Sequence, residues 1–158
     1  MGRKRASASV LHLDTNVLIG ALVPGSAAAQ SLQRWLLAGE TLAVSAIAWS
    51  EFLCGGSDQS VSHATRAAAL QLIGDPAPFD VTAAELAAEL FNATGRRRGS
   101  LGDCMVAASA MTQHATLATA NVADFAMMRE AGLDLRVVYM ARNLADPYSS
   151  GHDHTSGS

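Results

Sequence analysis

The sequence predicts a single α/β domain in which a central, mostly parallel sheet is sandwiched by helices. Short runs of β-prone residues alternate along the chain with longer segments of helical periodicity, a pattern typical of parallel sheets connected through helices. The chain has 158 residues, of which 49% are hydrophobic and 16% are charged. This length and composition suit one domain with a substantial buried core and require no second domain.

The predicted strands are short and separated by helices. We expect strands at residues 10–13, 41–44, 115–119 and 135–139. We expect helices at residues 26–37, 46–54, 63–72, 83–94 and 103–114, with shorter ones beginning near Thr15 and Phe125. Ser45 is the predicted N-cap of the helix at 46–54, and Thr82 with Glu85 forms a capping-box pattern before the helix at 83–94.

The two ends of the chain depart from this pattern. Residues 1–9 are small, polar and basic, with Arg3, Lys4 and Arg5 in succession, and residues 145–158 are rich in Ser, Gly and His. Such segments bury too little apolar surface to fold independently. We therefore predict a flexible basic segment at 1–9, a folded domain at 10–144 and a flexible tail at 145–158.

Composition also limits the class of protein. No apolar run approaches the roughly 20 residues of a transmembrane helix, so we expect a cytoplasmic protein with no membrane association. Cys54 and Cys104 lack zinc-site spacing and are expected to act as small hydrophobic residues without a disulfide. The net charge of −3 argues against general coating of nucleic acid, but the clustered basic residues leave RNA open as a substrate.

Four carboxylates at the edges of apolar segments are the main functional indication, namely Asp14, Glu51, Asp103 and Asp124. Charged groups beside buried surface need a compensating partner. No lysine or histidine has the spacing needed to neutralise all four. A divalent cation bound by oxygen ligands is the simplest explanation, and it predicts metal-assisted chemistry on phosphates.

Each carboxylate also has an ordinary structural explanation. Asp14 would cap the first helix, and Glu51, which shares a helical face with Ile47 and is expected to point inward, would extend from a half-buried helix. Asp103 would complement the dipole of the helix that it opens, and Asp124 would cap a short helix. All four fall at positions consistent with one end of one sheet, which favours a shared cause.

Four motifs, in this order, resemble the PIN-domain family of metal-dependent ribonucleases and, within it, the VapC-type toxins of bacterial toxin–antitoxin pairs. The motifs are LDTNVLI at 13–19, VSAIAWSEF at 44–52, GDCMVAASA at 102–110 and LATANVADF at 117–125. Each motif is weak alone, but the ordered set is specific and covers most of the predicted domain. The chain departs from the family in its extra basic segment and in Ala120, where relatives often have a basic residue.

The resemblance implies an Mg²⁺- or Mn²⁺-dependent endoribonuclease whose metal-binding and catalytic residues are Asp14, Glu51, Asp103 and Asp124. It implies supporting roles for four polar residues, Thr15, Asn16, Thr119 and Asn121. It also implies a homodimer and a cognate antitoxin, part of which would lie in a groove between apolar helices.

A cationic triplet, Arg96, Arg97 and Arg98, is expected to end the helix before Asp103. There the triplet and Ser100 would contact the RNA backbone, or the arginines would simply complement the helix dipole in solvent. Three other side chains are expected to pack in the core or an interface: His12, Trp35 and Trp49.

The sequence also bears on two alternative functions. Aspartyl-nucleophile phosphatases need a second Asp two positions after Asp14, where this chain has Asn16, and no phosphate-binding glycine loop is present. A non-catalytic PIN-like module that binds RNA or protein stays open.

Overall fold

The computed structural model describes residues 9–55, 60–98 and 100–138. Three predicted features lie wholly or mostly outside these ranges: the basic segment at 1–9, the tail at 145–158 and the strand end at Tyr139. Within them, the chain forms four strands and seven helices in alternating order.

The four strands form one sheet in which every neighbouring pair is parallel, in the order β2-β1-β3-β4. The strands are β1 (Val10–Leu13), β2 (Thr41–Ala43), β3 (Thr116–Thr119) and β4 (Leu135–Val137). The α/β prediction is therefore confirmed, with a sheet that is wholly parallel in the described residues. Each observed strand begins and ends within two residues of its prediction.

The helices fall close to the predicted segments. They are α1 (Thr15–Ala21), α2 (Ala27–Leu37), α3 (Ala46–Cys54), α4 (His63–Ile73), α5 (Val81–Ala93), α6 (Leu101–Thr112) and α7 (Val122–Glu130). Ser45 caps α3 as predicted, because its hydroxyl accepts a hydrogen bond from the Ala48 amide at 3.1 Å. None of the helices in the described ranges is long and apolar enough to cross a bilayer.

Three helices begin earlier than predicted. Asp80, rather than Thr82, caps α5, because the Asp80 carboxylate accepts a hydrogen bond from the Ala83 amide at 2.9 Å. Helix α6 begins at Leu101, two residues before Asp103, and α7 begins at Val122, two residues before Asp124. Both aspartates therefore lie inside a first helical turn instead of opening or capping the helix.

The order of the strands creates a switch point between β1 and β3. From β1 the chain moves to β2 on one side and then returns to β3 on the other side. With right-handed crossovers, these opposite movements place the connecting helices on opposite faces of the sheet. Ligands of open α/β sheets bind outside the carboxyl ends of the strands at such a point.

The core forms where both faces of the sheet meet the helices. His12 is buried in β1, and its Nε2 atom lies 2.7 Å from Gln113 Oε1, so the predicted packing role is confirmed. Burial lowers the pKa of His12 against the raising effect of this hydrogen bond. Trp35 and Trp49 are half-buried and pack against the core, also as predicted.

The two cysteines differ from each other. Both are free, which agrees with the expected absence of a disulfide. Cys104 is buried in α6 as expected, but the expectation that Cys54 is a buried hydrophobic residue is wrong. Cys54 is the last residue of α3, where the helix end is exposed.

Candidate active site

Asp14 lies at the switch point, between the end of β1 and the start of α1, and is only 7% exposed. Its Oδ1 atom accepts a hydrogen bond from the Thr15 amide at 2.8 Å, so the carboxylate caps α1. Its Oδ2 atom accepts a second bond from Thr119 Oγ1, also at 2.8 Å. The capping explanation is therefore correct but incomplete, because the same carboxylate is also tied to β3.

Thr119 ends β3 and is fully buried. Its hydroxyl donates to Asp14 and accepts a hydrogen bond from the Asn121 amide at 3.0 Å. The Asp14 amide in turn donates to the Ala118 carbonyl oxygen at 2.9 Å. These contacts fix the carboxylate across the carboxyl ends of the two central strands.

Glu51 reaches the same edge from α3. Thr15 Oγ1 donates a hydrogen bond to Glu51 Oε2 at 2.5 Å, which links α3 to the first residue of α1. A Cβ atom placed on Gly102 would lie 3.5 Å from Glu51 Oε1, so Glu51 also approaches the first turn of α6. The prediction that Glu51 points inward is wrong, because it is exposed at the rim rather than packed beneath it.

Asp103 and Asp124 come from the first turns of α6 and α7. Asp103 is half-buried, whereas Asp124 is exposed. Burial, and then the negative charges of Asp124, Asp14 and Glu51, raise the pKa of Asp103 to about 6, although the positive charge of Arg97 opposes the rise. The charges of the other three carboxylates therefore reach Asp103 at this edge.

The pKa of Asp14 is also raised, for related reasons. Burial raises its pKa most strongly, the hydrogen bonds from Thr119 and Thr15 oppose this, and the charges of Glu51 and Asp124 add to it. The ion pair between Arg136 and Glu40 is the only one recorded in the described ranges. Within those ranges, therefore, none of the four carboxylates has a cationic side chain at salt-bridge distance.

The donor chemistry of this edge fits a hard divalent cation. All four charged groups offer carboxylate oxygens, the ligand type that Mg²⁺ and Mn²⁺ prefer, and a bound cation would relieve their mutual repulsion. As the side chains stand, no three His, Cys, Asp or Glu residues of the described ranges converge into a metal-binding cluster. The edge therefore places suitable ligands near one another, but their side chains do not form a complete metal-binding site.

The other predicted supporting residues, Asn16 and Asn121, are exposed at this edge, each two residues after a residue of the site, Asp14 and Thr119 respectively. Asn121 is the N-cap residue of α7, but its side chain makes no capping hydrogen bond. The structure thus brings Thr15 and Thr119 into contact with the carboxylates, and it places the two asparagines beside them.

The arginine triplet lies after α5 rather than at its end, so that part of the prediction is wrong. Helix α5 ends at Ala93, and the backbone then turns through left-handed conformations at Gly95, with φ of 81°, and Arg96, with φ of 53°. All three arginines are exposed, and Arg97 is near enough for its charge to lower the pKa of Asp103. Ser100 Oγ donates to the Arg97 carbonyl oxygen at 2.7 Å, which ties this turn to the start of α6.

Gly102 is the one contributor to the site that sequence reasoning did not single out for its role. It packs beside Glu51 at the first turn of α6, where an added Cβ atom would lie in ordinary van der Waals contact with Glu51 Oε1. The available indication was a glycine directly before an acidic residue at a predicted helix start.

The family model for the PIN domain matches residues 11–130, which include all four carboxylates. The chain belongs to the PIN domain family. The assignment inferred from the four motifs is therefore confirmed. No curated protein sequence matches the chain at a significant level.

Several solved structures resemble this PIN domain. One chain of a toxin–antitoxin complex from Klebsiella pneumoniae is 26% identical, with a TM-score of 0.64 and coverage of 82% of this chain and 98% of the other. A chain of VapBC2 from Rickettsia felis, bound to promoter DNA, is 24% identical, with a TM-score of 0.65 and coverage of 81% and 98%. A chain of DNA-bound VapBC from Salmonella typhimurium is 18% identical, with a TM-score of 0.63 and coverage of 83% and 99%.

Proposed function

We propose that this PIN-domain protein is an endoribonuclease that hydrolyses RNA phosphodiester bonds with Mg²⁺ or Mn²⁺ as its cofactor. The observation that carries the proposal is that four carboxylates come from separate parts of the chain to one edge at the switch point of the sheet, where the charges of the other three reach Asp103. The raised pKa values of Asp14 and Asp103 support it, because burial and then neighbouring negative charges raise them, while no cationic side chain of the described residues lies at salt-bridge distance from either carboxylate. Such an arrangement suits an edge that receives a cation and a phosphate together.

The ligands of the ion would be Asp14, Glu51, Asp103 and Asp124. A divalent cation bound there would supply charge neutralisation on the phosphate and an activated water for hydrolysis. Asp14 is the most rigid ligand, because hydrogen bonds occupy both of its carboxylate oxygens and burial holds the side chain in place. Thr119 and Thr15 therefore act by orienting carboxylates, as hydrogen-bonded neighbours of metal ligands commonly do.

The turn that follows α5 would receive the RNA backbone. Arg97 lies within electrostatic reach of Asp103, and its exposed guanidinium is free to approach a phosphate from solvent. Arg96 and Arg98 flank it on the same exposed turn, and Ser100 holds the turn through its bond to the Arg97 carbonyl oxygen. The triplet would balance the negative charge of the site as the phosphate enters.

We propose further that the protein is the toxin of a toxin–antitoxin pair. Its structural neighbours come from complexes of that kind, and an apolar groove of about 530 Å³ lies between α1, α3 and the segment that leads into α4. Ile19 of α1 and Val23, two residues after that helix, line it and are 45% and 53% exposed, and Phe52 of α3 forms its inner wall. These dimensions and residues suit an amphipathic segment of an antitoxin.

The groove adjoins the acidic site through its own walls. Helix α1 begins directly after Asp14, and α3 carries Glu51 one residue before Phe52. An antitoxin segment bound there would shift or restrict both carboxylates. We also propose a homodimer, on the family resemblance alone, and light scattering of the purified protein would test it.

The experiment that tests the nuclease is cleavage of pooled cellular RNA by purified protein with Mn²⁺, with Mg²⁺ and with a chelator. We expect cleavage with metal and none with chelator, and Asp103→Asn should be inactive in all three conditions. RNA binding without any cleavage, in protein shown by mass spectrometry to be free of antitoxin, would contradict the proposal and favour the non-catalytic binding module.

A further inference from the structure

A second polar cavity lies on the α2 side of the sheet, away from the four carboxylates. It has a volume of about 360 Å³ and opens between one face of α2 and the edge strand β4. Gln30, Ser31 and Arg34 line it from α2, and Arg136 and Val137 line it from β4. Its volume falls in the range of small-molecule sites, and its walls offer hydrogen-bonding and cationic groups.

The two arginines of this cavity differ in their partners. Arg136 donates to Glu40 Oε1 at 2.5 Å and stacks over Trp35, with 5.5 Å from guanidinium carbon to ring centroid. Its charge is therefore compensated and its position is fixed. Arg34 is exposed and donates only to the buried Ser31 hydroxyl, at 3.1 Å, with no carboxylate at salt-bridge distance among the described residues. Arg34 thus presents an uncompensated charge beside a rigid wall.

One wall of the cavity, at Val137, comes near the acidic site, whereas Arg34 lies farther away in the last turn of α2. Val137 pairs with Thr119, the residue that donates to Asp14. Strands β4 and β1 are both neighbours of β3, so two strand spacings, about 10 Å in all, separate the Val137 position from the Asp14 side of the sheet. A single strand of RNA that continues from a phosphate held at the carboxylates would pass Val137 first and would need further nucleotides to reach Arg34.

We infer that this cavity is a secondary contact site for the RNA strand, in which Arg34 binds a backbone phosphate and Gln30 and Ser31 contact the adjoining nucleotide. The inference rests on the proposed ribonuclease function and extends it by naming a place where the strand continues beyond the cleaved bond. Arginine matches a phosphodiester because its planar fork donates two parallel hydrogen bonds, and Ser31 holds one end of that fork in position.

The test measures binding of single-stranded oligouridylates of increasing length by fluorescence anisotropy, on an Asp103→Asn background that prevents cleavage. Arg34→Gln should bind the shortest oligomers as well as its parent does and should lose the gain in affinity that longer oligomers provide. Loss of one phosphate contact should also lower the magnitude of the salt dependence, d log K/d log[salt], by about 0.7 for the longer oligomers. Arg34→Lys should retain most of that slope, because it keeps the charge.

Arg66→Gln is the matched control, because Arg66 is an exposed arginine on α4 that lines neither the cavity nor the acidic site. Its affinity and salt slope should equal those of the Asp103→Asn parent at every oligomer length. Equal affinities and slopes for Arg34→Gln and its parent would overturn the cavity site and leave the nuclease proposal intact. Loss of antitoxin binding in Arg34→Gln, with RNA binding unchanged, would also overturn it by assigning the cavity to a protein partner.

Failure of the ribonuclease proposal itself would give a different set of measurements. If wild-type protein cleaves no RNA and the Asp103→Asn parent binds no oligouridylate of any length, the ribonuclease proposal and the cavity site both fail.

Discussion

Carboxylates at the two ends of the sheet have opposite environments. At the amino end, Glu40 accepts hydrogen bonds from the Ser9 hydroxyl and from Arg136, and these partners hold its pKa below the usual range although burial opposes them. At the carboxyl end, burial and neighbouring charges raise the pKa values of Asp14 and Asp103. The difference indicates that Glu40 stabilises the fold, whereas the other two lower stability until a cation binds.

The largest expected effect is on RNA cleavage, which should be lost when a carboxylate at the carboxyl end of the sheet is replaced and kept when one at the amino end is replaced. Asp103→Asn should reduce metal-dependent RNA cleavage by at least about a hundredfold, because it removes a metal ligand. Glu40→Gln should leave cleavage within about twofold of wild type, because Glu40 lies at the other end of the sheet. Initial rates on the same RNA with saturating Mn²⁺ would measure both, and a large loss in Glu40→Gln would remove the functional distinction between the two ends.

Stability should respond to pH in opposite directions at the two ends. The native pKa of Asp103 is about 6 against an ordinary value of 3.8, so native protein binds this proton more tightly and the free energy of unfolding falls as pH rises through that window. The free energy of unfolding of Asp103→Asn should therefore exceed that of wild type by about 1 kcal/mol at pH 7, a value already reduced because Asp103 is partly exposed. This difference should disappear near pH 4.

Glu40→Gln should show the reverse. The pKa of Glu40 is lowered from 4.5, so its contribution is present above that pH and is lost as pH falls through the native value. The variant should be less stable than wild type by about 1 kcal/mol at pH 7, with a smaller deficit in acid. Urea unfolding in chelator from pH 4 to 8 would measure both variants, and parallel profiles for the two would contradict the comparison.

Thr119→Val tests whether the hydrogen bonds of the carboxyl end orient the site. The change leaves the Asn121 amide without its acceptor and frees Asp14 Oδ2, so we expect cleavage to fall about tenfold and stability to fall by about 1 kcal/mol. Thr116→Val, in the same strand, is the control, because the Thr116 hydroxyl makes no hydrogen bond to another residue of the described ranges. Equal cleavage rates for the two variants would exclude an orienting role for Thr119.

The smallest effect is expected at Arg97, the residue whose positive charge lowers the pKa of Asp103. Arg97→Gln should raise KM for RNA by about threefold to tenfold with a smaller change in kcat, and it should reduce the salt slope of binding by about 0.7. It should also raise the pKa of Asp103 further, because the opposing charge is lost. An unchanged KM and salt slope would show that the turn is only a solvated helix connection.

Much of the fold followed from local patterns. The strand at 10–13 and the helix at 46–54 were predicted within a residue, because alternation of apolar residues and a serine N-cap are local properties. Helix starts were less certain where two capping residues compete, as Asp80 and Thr82 do before α5. The end of α5 was predicted within a residue, but the arginine triplet was wrongly placed at that end, because the left-handed turns at Gly95 and Arg96 depend on how the connection to α6 closes.

The sequence by itself determined the family, the parallel α/β class and the identity of four carboxylates, because residue order and short motifs carry that information. Only the tertiary structure decided their environments. Whether Glu51 is buried or exposed, and whether Asp14 is merely a cap, depends on which strand ends and helix turns meet across the sheet. The contrast with Glu40 is likewise tertiary, because its partner Arg136 lies 96 residues away in the chain and reaches it only after the sheet has formed.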